Sequence, residues 1–405
     1  MILSKLKKLG PGLLFAGAAI GVSHLVQSTR AGADYGWGLL WALVLVNLFK
    51  YPFFRFGPRY ALATGESLLD GYHKLGKSYL WIYFFLNIAT MFTIQTAVTI
   101  VTAGLAANLF DTGANMVFWS IGITSICFII LLIGKYKLLD KVIKIIIITL
   151  TISTILSVSM AFLNSGKSID LLQVFPQGSG LVFVIAFMGW MPAPMDISIW
   201  HSIWVLEKKE SLKNKLSLKE GLFDFDVGYI TTVFLGVCFV GLGTLVMYGS
   251  GVTFSNKGNI FAGQLIDLYT SNLGESAHVI IAIAALTTMF STTITTLDAS
   301  PRAMSKSVQL LLNKKNKDYY LLWISILAIG TCLIFLFLLT EMGLLVQIAT
   351  VLSFITAPFY AILNYRLITS KHTPKESQPS QMMKTLSILG IIFLLGFTLV
   401  YLLSL

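Results

Sequence analysis

The stretch Gly189-Trp190-Met191-Pro192-Ala193-Pro194-Met195-Asp196 interrupts an apolar segment that runs from about residue 178 to residue 206. Proline has no backbone N–H group, so Pro192 and Pro194 open at least one turn of any helix that forms here. The carbonyl oxygens freed in this way need a cation, a polar solute, water or a neighbouring side chain wherever the surroundings are apolar. The stretch therefore predicts a long helix that is broken near its middle.

A second interruption lies in the first apolar segment, at Gly17-Ala18-Ala19-Ile20-Gly21-Val22-Ser23-His24. Two glycines, a serine and a histidine occupy the middle of an otherwise apolar helix. Interrupted segments at corresponding positions in two halves of a chain are typical of secondary transporters built from inverted repeats. We therefore predict an all-α polytopic membrane protein with discontinuous helices 1 and 6.

The composition of the whole chain fits this prediction. Of the 405 residues, 56% are hydrophobic and only 12% are charged, and the mean hydropathy is +0.80. A bilayer core needs about 20 apolar residues per helical crossing, and such segments fill the chain. We expect eleven spans, at about residues 10–32, 36–60, 78–109, 114–134, 141–163, 178–206, 224–249, 271–311, 318–340, 342–369 and 383–404.

The order of the spans predicts one transmembrane transport domain over residues 1–405. Five spans in residues 1–163 form the first repeat, and five more in residues 178–369 form the second. An odd number of spans in each repeat inverts the second repeat relative to the first. The eleventh helix, at residues 383–404, is an addition to the two repeats.

Basic residues predict the orientation of the spans. Lysine and arginine collect at alternate span ends, around residues 5–8, 55–59, 74–77, 135–144, 208–219, 302–317 and 366–384. Apart from Lys50 within span 2, the opposite ends hold only Arg30, Lys167 and Lys257. Cytoplasmic loops carry the excess of basic residues, so we expect a cytoplasmic N-terminus and an external C-terminus in the plasma (inner) membrane. Topology thus accounts for the net charge of +11, and we expect no nucleic-acid partner.

Other classes of protein lack support in the sequence. The three cysteines, Cys127, Cys238 and Cys332, are widely spaced within spans, which suggests neither disulfides nor a thiolate metal site. No Ser-His-acid set, metalloprotease motif or cofactor-binding loop appears. We expect no enzyme activity and no cofactor, and we interpret the first apolar segment as a working helix rather than a signal peptide.

Several motifs resemble the Nramp (natural resistance-associated macrophage protein) family of divalent-metal transporters. Gly10-Pro11-Gly12 and Ala31-Gly32-Ala33-Asp34-Tyr35-Gly36 are similar to the family's first helix, without a gap. Met191-Pro192 and His201-Ser202 resemble its sixth helix, and Ser291-Thr292-Thr293-Ile294-Thr295-Thr296-Leu297 resembles its eighth. The resemblance implies a LeuT-type fold of ten inverted-repeat helices plus one, with inward transport that is usually coupled to protons.

The chain departs from the family at the expected metal site in helix 1. The family's break reads Asp-Pro-Gly-Asn, and its carboxylate and amide both bind the metal. The ungapped alignment puts Gly21 in place of the aspartate and His24 in place of the asparagine. This chain is therefore a divergent member, and its principal metal-binding carboxylate is absent.

The sixth and third helices also differ from the family pattern. The family's Met-Pro-His reads Met191-Pro192-Ala193 here, which keeps the thioether and loses the histidine. Alignment on His201-Ser202 instead places Asp196 at the position of that histidine. The family's third-helix acids, which are linked to proton passage, become Met91 and either Ile94 or Gln95.

The two breaks supply the candidate substrate site, which consists of Gly21, His24, Met191, Ala193 and Asp196. An intramembrane acid such as Asp196 is costly unless it faces a cavity, an ion or a cationic partner, so it is a candidate ligand or proton carrier. His24 is either an imidazole ligand or a hydrogen-bonded interior histidine. Met191 is either a soft metal ligand or a packing residue. We predict His24, Met191 and Asp196 as the metal ligands.

Three further residues are candidates for gating or for proton relay. His201 matches the family residue associated with the cytoplasmic exit path. Asp298 and Arg302 stand four residues apart near the cytoplasmic end of span 8, a spacing typical of a local ion pair.

Two functions remain open from the sequence. The first is import of a divalent metal ion of the manganese, iron or magnesium class through the remodelled site, with a proton or sodium as the coupling ion. The alternative is a LeuT-fold transporter of a small anion or a zwitterionic organic solute, received by half-helix N-termini and His24, without metal transport.

Overall fold

The computed structural model describes residues 10–110, 115–133, 136–165, 170–211, 216–274, 278–314, 316–338 and 341–404. The basic cluster at residues 5–8 and Lys135, Lys167, Lys213, Lys215 and Lys315 lie outside the described residues. All regular secondary structure in the described ranges is helical. The elements are α1 (Pro11–Ala19), a π-helical segment (Ser23–Ser28), α2 (Thr29–Tyr35), a 3₁₀ turn (Gly36–Leu39), α3 (Leu40–Thr64), α4 (Leu68–Leu75), α5 (Lys77–Phe110), α6 (Met116–Leu132), α7 (Tyr136–Ser165), α8 (Ser179–Trp190), α9 (Ile197–Ser211), α10 (Leu218–Val246), α11 (Gly258–Leu273), α12 (His278–Leu311), α13 (Tyr320–Phe337), α14 (Met342–Ile368), a 3₁₀ turn (Lys375–Ser377) and α15 (Gln381–Ser404).

Each of the eleven predicted spans contains a helix. The first span consists of α1, the π-helical segment and α2, and the sixth consists of α8 and α9. Seven helices of the described chain are long and apolar enough to cross a membrane by length and composition, and three shorter apolar helices accompany them. The helices α4 and α11 lie between spans. The repeat boundaries near residues 163, 178, 369 and 383 remain a prediction.

The helices α6, α7, α13 and α15 expose apolar side chains at the periphery of the bundle, among them Phe118, Leu163 and Phe337. Exposed apolar residues on several neighbouring helices suit contact with lipid rather than with water. By contrast, α12 buries a series of hydroxyl side chains, and Thr288 and Thr293 donate to carbonyls one turn earlier. Hydroxyls that bond to their own helix can be buried in an apolar bundle at little cost.

The first span packs backbone against backbone on α10. A Cβ atom on Gly12 would lie 2.0 Å from the carbonyl oxygen of Asp224, and one on Gly243 would lie 2.1 Å from that of Thr29. Glycine allows helices to approach this closely because it has no side chain. The contact fixes the first break beside the middle of α10.

Candidate functional site

The break in the first span is closed by neutral hydrogen bonds. The carbonyl oxygen of Ala19 accepts from the backbone N–H of Gly21 at 3.0 Å, and Ser23 Oγ lies 2.6 Å from it. His24 Nδ1 lies 2.7 Å from Ser23 Oγ, while Nε2 lies 2.9 Å from the carbonyl oxygen of Thr232 in α10. A neutral imidazole has one N–H group, and we assign it to Nε2, which donates to Thr232 O, so that Nδ1 accepts the hydroxyl proton of Ser23. His24 is thus a hydrogen-bonded interior histidine in this conformation.

The break in the sixth span is closed by a charged side chain from another helix. Between α8 and α9 the chain contains a cis Met191–Pro192 bond. Lys50 of α3 is fully buried, and its Nζ donates to Met188 O at 2.7 Å and to Gly189 O at 2.8 Å. In the sequence, Lys50 is an isolated basic residue within span 2 that the charge pattern does not explain. A lysine in the middle of an apolar span is rare and costly, and this signal could have singled out Lys50 as a candidate residue.

Asp196 lies at the same break and is 2% exposed. Within the described residues neither of its carboxylate oxygens has a hydrogen-bond partner of normal geometry, although the amides of Asp196 and Ile197 lie close by. The charges of Asp196 and Lys50 act on each other, and Tyr83 of α5 is also within electrostatic range of the carboxylate. Break 6 therefore has a buried lysine amino group and a buried carboxyl group, whereas break 1 has neither.

The remaining residues of the predicted substrate site serve packing in this conformation. Met191 is fully buried, and its Sδ lies 3.6 Å from the position that a Cβ atom on Gly236 of α10 would take. Ala193 is also fully buried in the main hydrophobic core. A Cβ atom on Gly21 would lie 2.8 Å from Thr292 Oγ1, so Thr292 fills the space where the family's carboxylate begins.

The predicted metal ligands have these neighbours in the structure. His24 and Met191 contact α10 one turn apart, at Thr232 and Gly236, and Asp196 lies within electrostatic range of Lys50. Among the described residues no three His, Cys, Asp or Glu side chains are grouped so that they could hold a metal, and a thioether such as that of Met191 is outside this count. The ligand set of His24, Met191 and Asp196 remains a prediction.

A cavity of about 20 Å³ separates the two breaks, with walls that include Val22, Ser23, Trp190 and Thr292. This volume holds about one water molecule. The described residues that line it include no carboxylate. The space between the breaks is therefore nearly closed.

A larger cavity lies at the end of the bundle that the basic residues predict to be external. Its volume is about 470 Å³, and its lining includes Gln27, Arg30, Asn256 and Glu341. Arg30 Nη2 donates to Asn256 Oδ1 at 3.0 Å, and Gln27 Nε2 lies 3.4 Å from Thr350 Oγ1. Gln27 belongs to the π-helical segment, so this cavity reaches that segment of the first span.

The opposite end, which we term the inner end, is closed by aromatic rings and ion pairs. His201 is buried between Phe15 and Phe225, with ring centroids 5.8 and 5.5 Å away. Its two nitrogens have no hydrogen-bond partner within the described chain. Arg302 Nε lies 2.7 Å from Asp298 Oδ2, which is the ion pair that their spacing indicates.

Two further contacts strengthen this inner closure. Arg302 Nη1 lies 3.1 Å from Glu207 Oε1 of α9. The carboxylate of Asp224 accepts from the backbone N–H groups of Gly10 at 3.1 Å and Gly12 at 2.7 Å, and so it caps α1. The sequence gives no local signal for this role of Asp224, because both of its partners lie more than two hundred positions away.

The chain matches a family model over nearly its whole length. This model, described as natural resistance-associated macrophage protein-like (Nramp), matches residues 12–404. An uncharacterized protein of Pasteurella multocida (strain Pm70) is 38% identical over 405 residues, which cover 98% of this chain and 92% of the relative. Metal transporter Nramp2 of Oryza sativa subsp. japonica is 24% identical over 411 residues, which cover 95% and 75% of the two chains.

Solved structures confirm the predicted fold class. A mutant of the Eremococcus coleocola manganese transporter matches with a TM-score of 0.74 at 13% identity, over 98% of this chain and 86% of the other. MhsT in complex with L-phenylalanine matches with a TM-score of 0.68 at 17% identity, over 98% of both chains. Mhp1, a nucleobase-cation-symport-1 family transporter with bromovinylhydantoin bound, has a TM-score of 0.59 at 11% identity, over 98% and 92%. The architecture is thus the LeuT-type fold, with discontinuous helices 1 and 6.

These findings agree with the sequence motifs over nearly the full length of the chain. The family consists of integral membrane transporters rather than enzymes. The departures at Gly21, His24 and Ala193 mark divergence within that family rather than a different fold. With its broken first and sixth helices and a family match over residues 12–404, this chain belongs to the Nramp family.

Proposed function

We propose that this protein is a secondary active transporter that imports a divalent metal ion of the manganese, iron or magnesium class. The proposal is carried by Asp196, a buried carboxylate at a helix break whose oxygens have no hydrogen-bond partner among the described residues. Carboxylate and carbonyl oxygens are the ligands that magnesium and manganese prefer. Family membership and the names of two matched proteins, a metal transporter and a manganese transporter, support it.

The cavities suggest the direction of access. The 470 Å³ cavity reaches the π-helical segment from the predicted external end, while His201 and the Arg302 ion pairs close the inner end. Transporters of this architecture expose one site alternately to the two sides by rocking one bundle of helices against the other. We infer that the metal enters from this cavity, and that Asp196 and Met191 approach each other when the broken helices rearrange.

The coupling ion, a proton or sodium, would not follow the family's third-helix route. Gln95 occupies one of the candidate positions there, and its Oε1 accepts a hydrogen bond from Thr296 Oγ1 at 2.7 Å. Its Nε2 lies 3.3 Å from the carbonyl oxygen of Thr293. An amide that bonds α5 to α12 cannot gain or lose a proton, so coupling would depend on groups at the breaks.

Uptake of Mn²⁺ into proteoliposomes tests the metal hypothesis. We expect uptake by the wild type, a loss of at least about tenfold in Asp196→Asn, and partial uptake in Asp196→Glu, which keeps the carboxylate. Asp170→Asn is the matched control, because Asp170 is exposed in the segment before α8. Uptake is normalised to monodisperse, folded protein. The proposal fails if the wild type neither binds nor transports Mn²⁺, Fe²⁺ or Mg²⁺.

A second candidate function, transport of a small anion or a zwitterionic organic solute, is favoured by one observation. The ammonium of Lys50 is fixed at break 6, and the walls of the cavity between the breaks include no carboxylate among the described residues. A thermal-shift screen of anions, amino acids and nucleobases against divalent metals separates the two candidates. A response to metals alone would exclude the second.

A further inference from the structure

The carbonyl oxygens at the end of α8 accept hydrogen bonds from the amino group of a lysine on another helix. Lys50 Nζ lies 2.7 Å from Met188 O and 2.8 Å from Gly189 O. These carbonyls belong to the last turn of α8, where no later residue of the helix donates a hydrogen bond to them. The C-terminal end of a helix carries partial negative charge, and it attracts cations. Unwound carbonyls and half-helix C-termini in broken transporter helices are sites of monovalent cations.

Packing alone does not explain a lysine at this position. Lys50 is fully buried, and a methionine or leucine would fill the same volume without removing a charge from water. An acidic group lies at the same break, because Asp196 is in electrostatic range of Lys50 and no side chain in the described part of the chain donates a hydrogen bond to its oxygens. A pair of carbonyl oxygens that holds an amino group, with a carboxylate in electrostatic range, has the composition of a cation site.

We propose that the carbonyl oxygens of Met188 and Gly189 form a monovalent-cation site, and that the ammonium of Lys50 is its built-in occupant. The tethered ammonium takes the place of a dissolved sodium or potassium ion, so the sixth-helix break keeps its geometry at any concentration of these ions. This assignment does not depend on the identity of the cargo. It identifies Lys50 as a positioning residue for the break.

The test replaces the tethered cation with a dissolved one. Lys50→Ala removes the atoms of a propylammonium group, so n-propylammonium is the probe and 1-propanol is its neutral match in size. We expect Lys50→Ala to lower the melting temperature in detergent by roughly 5 °C. Propylammonium should restore at least half of this loss at millimolar concentration, and 1-propanol should not. The wild type should respond to neither compound.

If Lys50→Ala fails to fold, two other variants separate the effect of the lysine charge on stability from the effect of its volume. Lys50→Arg keeps a cation and should remain near the wild type, whereas Lys50→Met keeps the length without charge and should lose stability without rescue. Equal rescue by propanol and propylammonium, or a Lys50→Met variant as stable as the wild type, would overturn the proposal. The measurement needs no cargo, so a failure of metal transport leaves its outcome unaffected.

Discussion

The two broken helices differ in the groups that bond to the carbonyl oxygens freed at each break. Break 1 satisfies its freed carbonyl at Ala19 with the backbone N–H of Gly21, and the uncharged side chains of Ser23 and His24 bond beside it to each other and to Thr232 O. Break 6 closes its carbonyls with the amino group of Lys50, which comes from a different helix, and the carboxyl group of Asp196 lies within electrostatic range of it. One break is closed by groups that carry no charge, whereas the other is closed beside two ionisable side chains.

This difference indicates where the chemistry of transport lies. A neutral hydrogen bond contributes about 1 kcal/mol to stability, and its groups gain little by exchanging partners. A buried charge without its partner costs several kcal/mol, so an arriving ion changes the energy of a charged break much more than that of a neutral one. We therefore expect an arriving ion to act more strongly on break 6 than on break 1.

The largest expected effect tests the charge balance at break 6. Asp196→Asn should lower the free energy of unfolding by roughly 3–5 kcal/mol, because Lys50 loses its opposite charge in an apolar surrounding. Lys50→Met should cost a similar amount for the reciprocal reason. The double variant should recover part of the loss, because both charges are then gone. Chemical denaturation in detergent measures all three, and strictly additive losses would show that the charges do not interact.

The next effect tests the neutral closure of break 1. His24→Ala removes the hydrogen bond to Thr232 O and leaves a cavity beside α10, and we expect a loss of about 2–3 kcal/mol in the free energy of unfolding. His24→Gln keeps a donor and should lose less. A result in which both variants keep full stability but lose metal binding would make His24 a ligand, and break 1 would then share the chemistry of break 6.

The positions of the breaks could be predicted from the sequence because their causes are local. Pro192 and Pro194 lack the donors that a helix needs, and the structure ends α8 at Trp190 and resumes at Ile197. Gly21 and Ser23 similarly mark the gap between α1 and the π-helical segment. The spans could also be predicted from hydropathy, because each membrane crossing needs its own continuous apolar segment and this is a local property of the sequence.

The partners that close the breaks could not be predicted, because they lie far away in the chain. Lys50 and Met188 are 138 residues apart, and His24 and Thr232 are 208 residues apart. Residue type showed that His24 and Asp196 need partners, but only the packing of α3 and α10 decides which groups they meet. The candidate ligands therefore remain a prediction from residue type, whereas the groups that they contact are known only from the structure.

The stability cost of replacing a glycine with alanine tests how tightly each break is packed. A Cβ atom on Gly189 would lie 2.0 Å from the backbone oxygen of Thr350, whereas one on Gly21 would meet the side chain of Thr292. Backbone cannot rotate away, so Gly189→Ala should cost about 1–3 kcal/mol of unfolding free energy, and Gly21→Ala should cost less than about 1. The double variant Gly21→Ala with Thr292→Ala serves as the control, since it removes the obstructing hydroxyl. Equal losses at the two glycines would mean that break 1 is as rigidly packed as break 6.

The smallest effect is expected at the inner end, away from both breaks. Glu207 contacts Arg302 at 3.1 Å, but the two side chains are 52% and 38% exposed, and a pair of this kind contributes less than about 1 kcal/mol. Glu207→Gln should therefore lower the free energy of unfolding by roughly 0.5 kcal/mol or less, and the difference should shrink further at 1 M salt. Asp298→Asn should cost more, because Asp298 is nearly buried and binds the same arginine. Denaturation at low and high salt measures both. If Glu207→Gln lowered the free energy of unfolding as much as His24→Ala, polar contacts at the inner end would stabilise this conformation more than those at the two breaks.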